Sequence, residues 1–239
     1  MGPVLEMILA RVGASLLIAG LLLAGCGNDK KPGALPVKAI LQAQLDRLKA
    51  IGAQSPAAAS ASATPDPALL AEGRRVLAEG GQPVIAVTDR GLGLATFMVP
   101  LGSNSGVVTW ANPEYQTIAL RDGVILATRG FGADLMSVTG PSAEQLRSGT
   151  GSFRRLHYVL DGADQTIEQV FDCSLSVSKK ETIAVLGLSY ATSLVEENCS
   201  GPAGDLTNRY WFDATGAIRQ SEQARGPGLE NMQLQTIID

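Results

Sequence analysis

The stretch QTIALRDGVILATR, residues 116–129, carries two apolar runs on either side of an Asp-Gly pair. Both runs are rich in Ile, Val, Leu and Thr, and we interpret them as β-strands near 115–120 and 123–129. An Asp-Gly pair between two such runs is the strongest short-range signal for a tight hairpin turn. This stretch therefore predicts two antiparallel strands joined directly to each other.

The same pattern continues on both sides, from Pro83 to the end of the chain. Short runs rich in β-branched and aromatic residues alternate with turn residues, as in WANPEY at 110–115, LDGADQT at 160–166 and FDATGAI at 212–218. The predicted strands lie near 83–89, 93–100, 106–110, 115–120, 123–129, 153–160, 166–177, 181–190, 192–199, 207–213, 216–224 and 229–237.

Successive hairpins predict a mainly all-β fold, an antiparallel meander of about twelve strands. So many strands do not stay in one flat sheet, which instead curls, closes or splits. We therefore expect a sandwich or a partly closed barrel. One short helix is predicted at 141–147, where PSAEQLR begins with Pro and carries an early Glu.

The chain before the strands divides by composition. Residues 36–51 have apolar side chains at helical spacing, which predicts an amphipathic helix. A second short helix begins at Pro67, capped by Asp66, and ends at Gly80-Gly81. The predicted organisation is a signal peptide at 1–25, an anchor segment with the first helix at 26–52, an Ala/Ser/Pro linker at 53–67 and the β domain at 68–239.

The apolar run at 12–24 is shorter than the roughly 20 residues that a membrane-spanning helix needs. It follows Arg11 and ends at Leu23-Ala24-Gly25-Cys26, so it indicates a signal peptide. These four residues resemble the lipobox of bacterial lipoproteins, in which the Cys is acylated and the chain is cut before it. By the same resemblance, Gly27 after the Cys favours the outer membrane.

Cys173 and Cys199 remain after Cys26 is set aside. Two thiols in an oxidising envelope usually pair, so we expect a structural disulfide that stabilises the fold by roughly 3–4 kcal/mol. The alternative is a redox or metal pair. CxxC spacing is absent and the sequence has one His, which argues against that alternative.

The sequence offers little that is typical of an enzyme. His157 is the one histidine and stands in a predicted strand, where a structural or solvated role is expected. No Gly-x-Ser-x-Gly elbow occurs. Acidic residues in predicted turns could serve a glycosidase, but no spacing selects a pair; they are Asp161, Asp164, Asp205 and Asp213. We expect no catalysis, no metal and no cofactor, and the charge of -4 without a basic block argues against nucleic acid.

A few residues are candidates for contact with a glycan or a protein partner. Trp110 and Trp211 can stack on sugar rings, and Arg129 and Arg209 can bind acidic sugars. The alternative is that the aromatic residues, with Tyr210, fill the core of a sheet in which aromatics make up only 5% of the residues.

Three stretches together are similar to the YjbF family of lipoproteins, the GfcB-like proteins of group 4 capsules. The resemblance extends over about 83–238, and its most distinctive pieces are TRGFGADLMS and NRYWFD. The three stretches are GVVTWANPEYQTIALRDGVILATRGFGADLMS at 106–137, LGLSYATSLVEENCSG at 186–201 and TNRYWFDATGAIRQSEQ at 207–223.

The resemblance implies a lipid-anchored, all-β, non-enzymatic accessory or assembly factor of exopolysaccharide or capsule secretion. It also implies a partner, an outer-membrane β-barrel of the export system, and contact with the polysaccharide itself is an added expectation. Of the site residues it transfers only Cys26, the lipidated (palmitoylated) residue, on a protein of the outer membrane facing the periplasm. The alternatives are an envelope enzyme that processes glycans and a purely structural envelope lipoprotein.

Overall fold

The computed structural model describes residues 42–43, 46–47, 49 and 67–239. The five described residues before Pro67 are helical and exposed. They lie within the first predicted helix, whose other residues fall outside the described part, as do the predicted signal peptide, the linker and Asp66. The second predicted helix is present as α1, Pro67–Ala78.

The helix predicted at 141–147 is confirmed as α2, Ala143–Ser148. Twelve strands make up the rest of the domain. They are β1 Val84–Asp89, β2 Leu94–Asn104, β3 Val107–Ala111, β4 Thr117–Arg121, β5 Val124–Arg129, β6 Leu135–Thr139, β7 Ser152–Leu160, β8 Thr166–Val185, β9 Leu188–Gly201, β10 Gly204–Phe212, β11 Ile218–Gln223 and β12 Met232–Ile238.

Two details of the strand prediction were wrong. The strand predicted at 166–177 continues to Val185 as β8, because pairing with β9 persists across an irregularity between Val177 and Lys179. The strand predicted at 181–190 therefore combined the end of β8, the turn at 186–187 and the start of β9. The polar residues around that bulge suggested a turn. Strand β6 was missed because it has five residues and lies between a glycine-rich loop and a Gly-Pro pair.

All twelve strands form one antiparallel sheet in the order β5-β4-β3-β2-β1-β12-β11-β10-β9-β8-β7-β6. Its two edge strands, β5 and β6, are consecutive along the chain, so the sheet curls until its edges come close together. The result is a nearly closed, barrel-like sheet, which confirms the all-β meander. Of the two expected forms, the partly closed barrel is the one observed.

Side chains join the two edges where β5 and β6 meet. Leu135 N donates to Thr128 Oγ1 at 3.0 Å, and Arg129 Nη1 donates to the carbonyl oxygen of Leu135 at 2.9 Å. The connecting loop is folded around Asp134, whose carboxylate accepts from Gly130 N at 2.7 Å and from Thr128 Oγ1 at 2.8 Å. These bonds replace a continuous ladder between the edges.

The inward-facing side chains of the curled sheet form its core. The largest cluster joins β1, β2, β4, β5, β6 and β12 with Phe131 of the β5–β6 loop. A second cluster joins Leu146 of α2 to Val124 of β5 and to Leu175, Val195 and Tyr210 across the barrel. Helix α2 therefore packs against β5 and against the strands β8, β9 and β10.

A second layer covers part of the outer face. Leu77 of α1 packs with Val185 at the end of β8 and Ile237 of β12. Arg74 donates to the carbonyl oxygen of Val185 at 2.7 Å and also to that of Ile237. The far end of the β8–β9 hairpin is thus held by α1 against the outside of the sheet. None of the described helices has the length and apolar character needed to cross a membrane.

The predicted disulfide between Cys173 and Cys199 is confirmed. The two residues are direct partners in the β8–β9 register and both are buried, in a cluster with Phe171 and Leu206. The bond therefore links neighbouring strands from within the core.

Replacing both cysteines by alanine, Cys173→Ala with Cys199→Ala, should lower the free energy of unfolding by about 3–4 kcal/mol, because the bond closes a loop with a sequence separation of 26. Denaturant unfolding with and without a reducing agent measures it. Reduction should destabilise the natural protein and leave the double variant unchanged. Equal midpoints for the oxidised natural protein and the double variant would contradict a stabilising role.

Candidate functional site

A cleft of about 650 Å³ opens at one end of the barrel, beside α2. We name it the α2 cleft. Its walls come from β3 and β4, from the β4–β5 and β10–β11 turns, from the adjoining ends of β1 and β12, and from α2. The mouths of β-barrels are a common place for ligand or partner contact.

Trp110 supplies the aromatic surface of the α2 cleft. It lies on β3, opposite Pro100 of β2 and Ile118 of β4, so its side chain is fixed by strands on both sides. The indole is half-buried and packs on the main core cluster. The indole therefore contacts the core cluster and also lines the cleft.

Arg147 supplies a cation at the same cleft. It lies in the last turn of α2, a helix that begins with Ser142 accepting from Gln145 N at 3.1 Å and ends at Gly149 in the left-handed conformation. Gly216, in the facing β10–β11 turn, has φ of 86°, which favours glycine, and a Cβ there would displace the flexible end of Arg147.

The charges around the α2 cleft are mixed. Asp122, Glu144 and Arg147 are exposed at its rim, and Asp239 is paired with Arg219 at 2.7 Å. Among residues 67–239, none forms an ion pair or hydrogen bond with the Arg147 side chain. The cleft thus offers a guanidinium without a partner in residues 67–239 and an aromatic face, on a surface with no single dominant sign of charge.

Two other predicted contact residues are held within the protein. Trp211 is buried, and its Nε1 donates to Glu181 Oε1 at 2.7 Å. Arg209 is half-buried between Glu196, at 2.9 Å, and Glu222, at 3.2 Å. These contacts stabilise the outer layer and β9–β11, and neither residue lines the α2 cleft.

Arg129 is exposed, and hydrogen bonds hold its side chain at the seam between β5 and β6. Its guanidinium donates to the carbonyl oxygens of Thr128 at 2.6 Å, Leu135 at 2.9 Å and Met136 at 3.2 Å. The structure therefore brings only Trp110, of the four predicted contact residues, to the α2 cleft. A contact role for the other three stays a prediction.

The barrel interior contains a buried ionic network that the sequence did not reveal. Arg155 and Glu197 form a two-bond ion pair, at 2.7 and 2.8 Å, and both are almost fully buried. Tyr210 donates to Glu197 Oε2 at 3.1 Å, and Asn208 donates to the same oxygen at 2.9 Å. Burial raises the pKa of Tyr210 well above its ordinary value, so the phenol stays a hydrogen-bond donor.

His157 is also in the interior, fully buried on β7. Burial, and next the positive charge of Arg155, lowers its pKa to about 3. Its ring meets Phe171 edge-on, with centroids 5.2 Å apart, and neither ring nitrogen has a hydrogen-bond partner in the described part of the chain. A neutral, enclosed imidazole of this kind packs as an aromatic ring.

The remaining predicted sites concern cysteine. Cys26 lies outside the described residues, so its lipidation stays a prediction. Cys173 and Cys199 come close to Glu197, but the two sulfurs are bonded to each other and supply no thiolates to a metal.

Comparison with known proteins adds three findings. A family model described as group 4 capsule polysaccharide lipoprotein GfcB, YjbF, matches residues 79–237. No curated protein matches the chain. The crystal structure of the hypothetical lipoprotein YmcC from Escherichia coli (K12) has 19% sequence identity and a TM-score of 0.59, covering 66% of this chain and 84% of that chain. At this identity the similarity to that structure shows the fold alone.

His157 should make the protein less stable as the pH falls. Its pKa is about 6.5 in the unfolded chain and about 3 in the fold, so below pH 6.5 only the unfolded state gains the proton. The free energy of unfolding should therefore fall by up to about 1.4 kcal/mol per pH unit between these values from this group alone. Denaturant unfolding at several pH values measures it.

The variant His157→Leu should remove this part of the pH dependence. Phe171→Leu is the matched control, because it alters the same ring contact but leaves the titrating group in place. Identical slopes for the natural protein and His157→Leu between pH 6 and pH 4 would contradict the burial argument.

Proposed function

Because the chain belongs to the YjbF family of group 4 capsule polysaccharide lipoproteins, we propose that it is a non-enzymatic accessory or assembly factor of exopolysaccharide or capsule secretion. The observation that carries the proposal is the extent of the family match. Residues 79–237 include every strand of the sheet except the last residue of β12. The whole barrel-like domain is therefore the family's unit.

The use of the ionisable groups in the interior supports a non-enzymatic role. The pKa of His157 is lowered and that of Tyr210 is raised, and both side chains are enclosed by the core. Arg155 and Glu197 satisfy each other. Perturbed groups often mark active sites, but ion-pair networks perturb pKa values too. In this domain these groups make internal contacts of the barrel.

The position in the cell follows from the N-terminal sequence. Acylation of Cys26 would tether the domain to the outer membrane, facing the periplasm, with several acyl chains giving a stable anchor where one gives only marginal binding. The segment of residues 53–67 would set the distance between anchor and barrel.

The α2 cleft is the surface that we assign to a protein partner, an outer-membrane β-barrel of the export system. Trp and Arg are enriched among the residues that dominate binding at protein interfaces. Trp110 and Arg147 provide both at one opening, and within residues 67–239 Arg147 has no ion pair that binding would break.

Deletion of the gene in the host should lower the amount of exported polysaccharide while intracellular sugar-nucleotide pools stay intact. Complementation with Cys26→Ala should fail, because the domain would lack its anchor, even where immunoblots show equal protein. Normal export in the deletion strain would overturn the proposal. Chain shortening of the purified polysaccharide by the protein would favour the glycan-processing enzyme instead.

Affinity purification from a detergent extract of the envelope should recover the β-barrel exporter with the natural protein. Trp110→Ala should reduce its recovery severalfold, because it removes the anchored aromatic surface of the cleft. Leu101→Ala is the control, since Leu101 is exposed and does not line the cleft. Equal recovery with all three proteins would exclude the α2 cleft as the contact surface.

A further inference from the structure

A second opening lies at the other end of the barrel, with a volume of about 480 Å³. Strands β1 and β5 define the two ends: Ile85 and Gly123 line the α2 cleft, whereas Asp89 and Arg129 lie at the far ends of β1 and β5. We name the second opening the Arg225 pocket. Its walls are the β5–β6 loop, the adjoining ends of β7 and β8, and the segment 225–229.

Arg225 is held rigidly in the wall of this pocket. It is 4% exposed and forms an ion pair with Asp89. Its Nη1 donates to the carbonyl oxygens of Ala133 at 2.9 Å and Phe131 at 3.3 Å. Its Nε, however, is buried without a partner among the residues that the structure describes. One donor of an immobilised guanidinium is thus unused.

Gln169 contributes an unused acceptor to the same pocket. It lies on β8 directly opposite His157 of β7, on the inward-facing side. Its Oε1 is buried and accepts no hydrogen bond from any described residue. A buried polar atom without a partner is destabilising, so two of them lining one pocket need an explanation.

A hydroxyl group matches both atoms chemically, because it donates one hydrogen bond and accepts others. The fixed charges around the pocket balance, because Asp89 offsets Arg225 and the lining holds both the Asp134 carboxylate and the Arg129 guanidinium. This balance suits a neutral group. An anionic ligand would meet the Asp134 carboxylate and the oxygen of Gln169, and the Arg129 guanidinium already donates to three carbonyl oxygens.

The remaining walls are apolar. Leu160 and Leu229 are each at least 40% exposed there, and Pro227 lies beside them. Sugars present hydroxyl groups together with apolar C–H faces, and the pocket volume is within the usual range of about 300–1,000 Å³ for ligand sites.

We propose that the Arg225 pocket binds an uncharged sugar unit, with one hydroxyl accepting from Arg225 Nε and donating to Gln169 Oε1. The ring packs on the apolar wall of Leu160, Pro227 and Leu229. The choice of a saccharide from the host's exported chain rests on the proposed function, whereas the pairing of donor and acceptor does not.

The experiment uses the full lipidated protein in a detergent that has no sugar head group. The probes are methyl glycosides of glucose, galactose and mannose, neutral oligosaccharides released by mild acid from the host polysaccharide, and glucuronic acid as the anion. Saturation-transfer NMR should detect binding of at least one neutral probe, and titration of the protein with that probe gives its affinity. Glucuronic acid should bind more weakly or show no signal.

Gln169→Leu should weaken binding of the neutral probe by roughly three- to tenfold, the effect of one lost hydrogen bond. It should leave the unfolding midpoint equal or higher, because it removes an unpaired buried oxygen. Gln145→Leu, an exposed glutamine on α2, is the matched control and should bind normally. Arg225→Lys, which keeps a cation beside Asp89 but has no Nε donor, provides an independent second variant.

Each other outcome has a stated meaning. Silence of every neutral probe, or tighter binding of glucuronic acid, overturns the proposal. So does sugar binding unchanged in both variants, and loss of a co-purifying protein in Gln169→Leu without sugar binding would assign the pocket to a peptide. Sugar binding with normal export in the deletion strain would leave the pocket standing and refute the proposed function; the reverse result would refute the pocket alone.

Discussion

Closure of the sheet depends on the hydrogen bonds that side chains form between its two edge strands. Thr128, Arg129 and Asp134 connect β5 to β6 across the seam, and Arg225 ties the loop between them to Asp89 of β1. An open twelve-stranded sheet would expose two unpaired edges, which are sites of aggregation. The stretch TRGFGADLMS, residues 128–137, is therefore distinctive because it closes the barrel.

Closure also explains the charged groups inside. The Arg155–Glu197 pair spans β7 and β9, and Tyr210 and Asn208 of β10 complete its hydrogen bonds. A buried ion pair adds little net stability over apolar residues, but losing one partner costs about 3–5 kcal/mol. Such a network tolerates only one strand register, so we infer that it selects the observed pairing of β7 through β10 among alternatives.

Much of this fold could be predicted from sequence, because hairpins are local. Nearby residues predict the Asp-Gly turn between β4 and β5 and the helix α2. The expected oxidising envelope predicts the Cys173–Cys199 bond. The length of β8 could not be predicted, because the residues in its middle are polar and exposed. Only their pairing with β9 shows that the strand continues through them.

Side-chain roles were harder to predict than strands. Arg129, Arg209 and Trp211 have the composition of a binding surface, yet each is engaged by groups distant in sequence or across a seam. Arg225 and Gln169 gave no signal in the sequence, because their significance depends on two atoms, Arg225 Nε and Gln169 Oε1, that lack a partner among the described residues. Such atoms can be recognised only in the folded structure.

The hydrophobic core of the barrel lies between the two openings of the domain. The interior between them is occupied by core side chains such as Met98, Ile118 and Met232, which are fully buried. A ligand at the Arg225 pocket therefore does not compete for space with a partner at the α2 cleft. Because the same strands support both sites, the proposed saccharide and the proposed protein partner would occupy opposite ends of the domain, as a link between a polymer and its exporter requires.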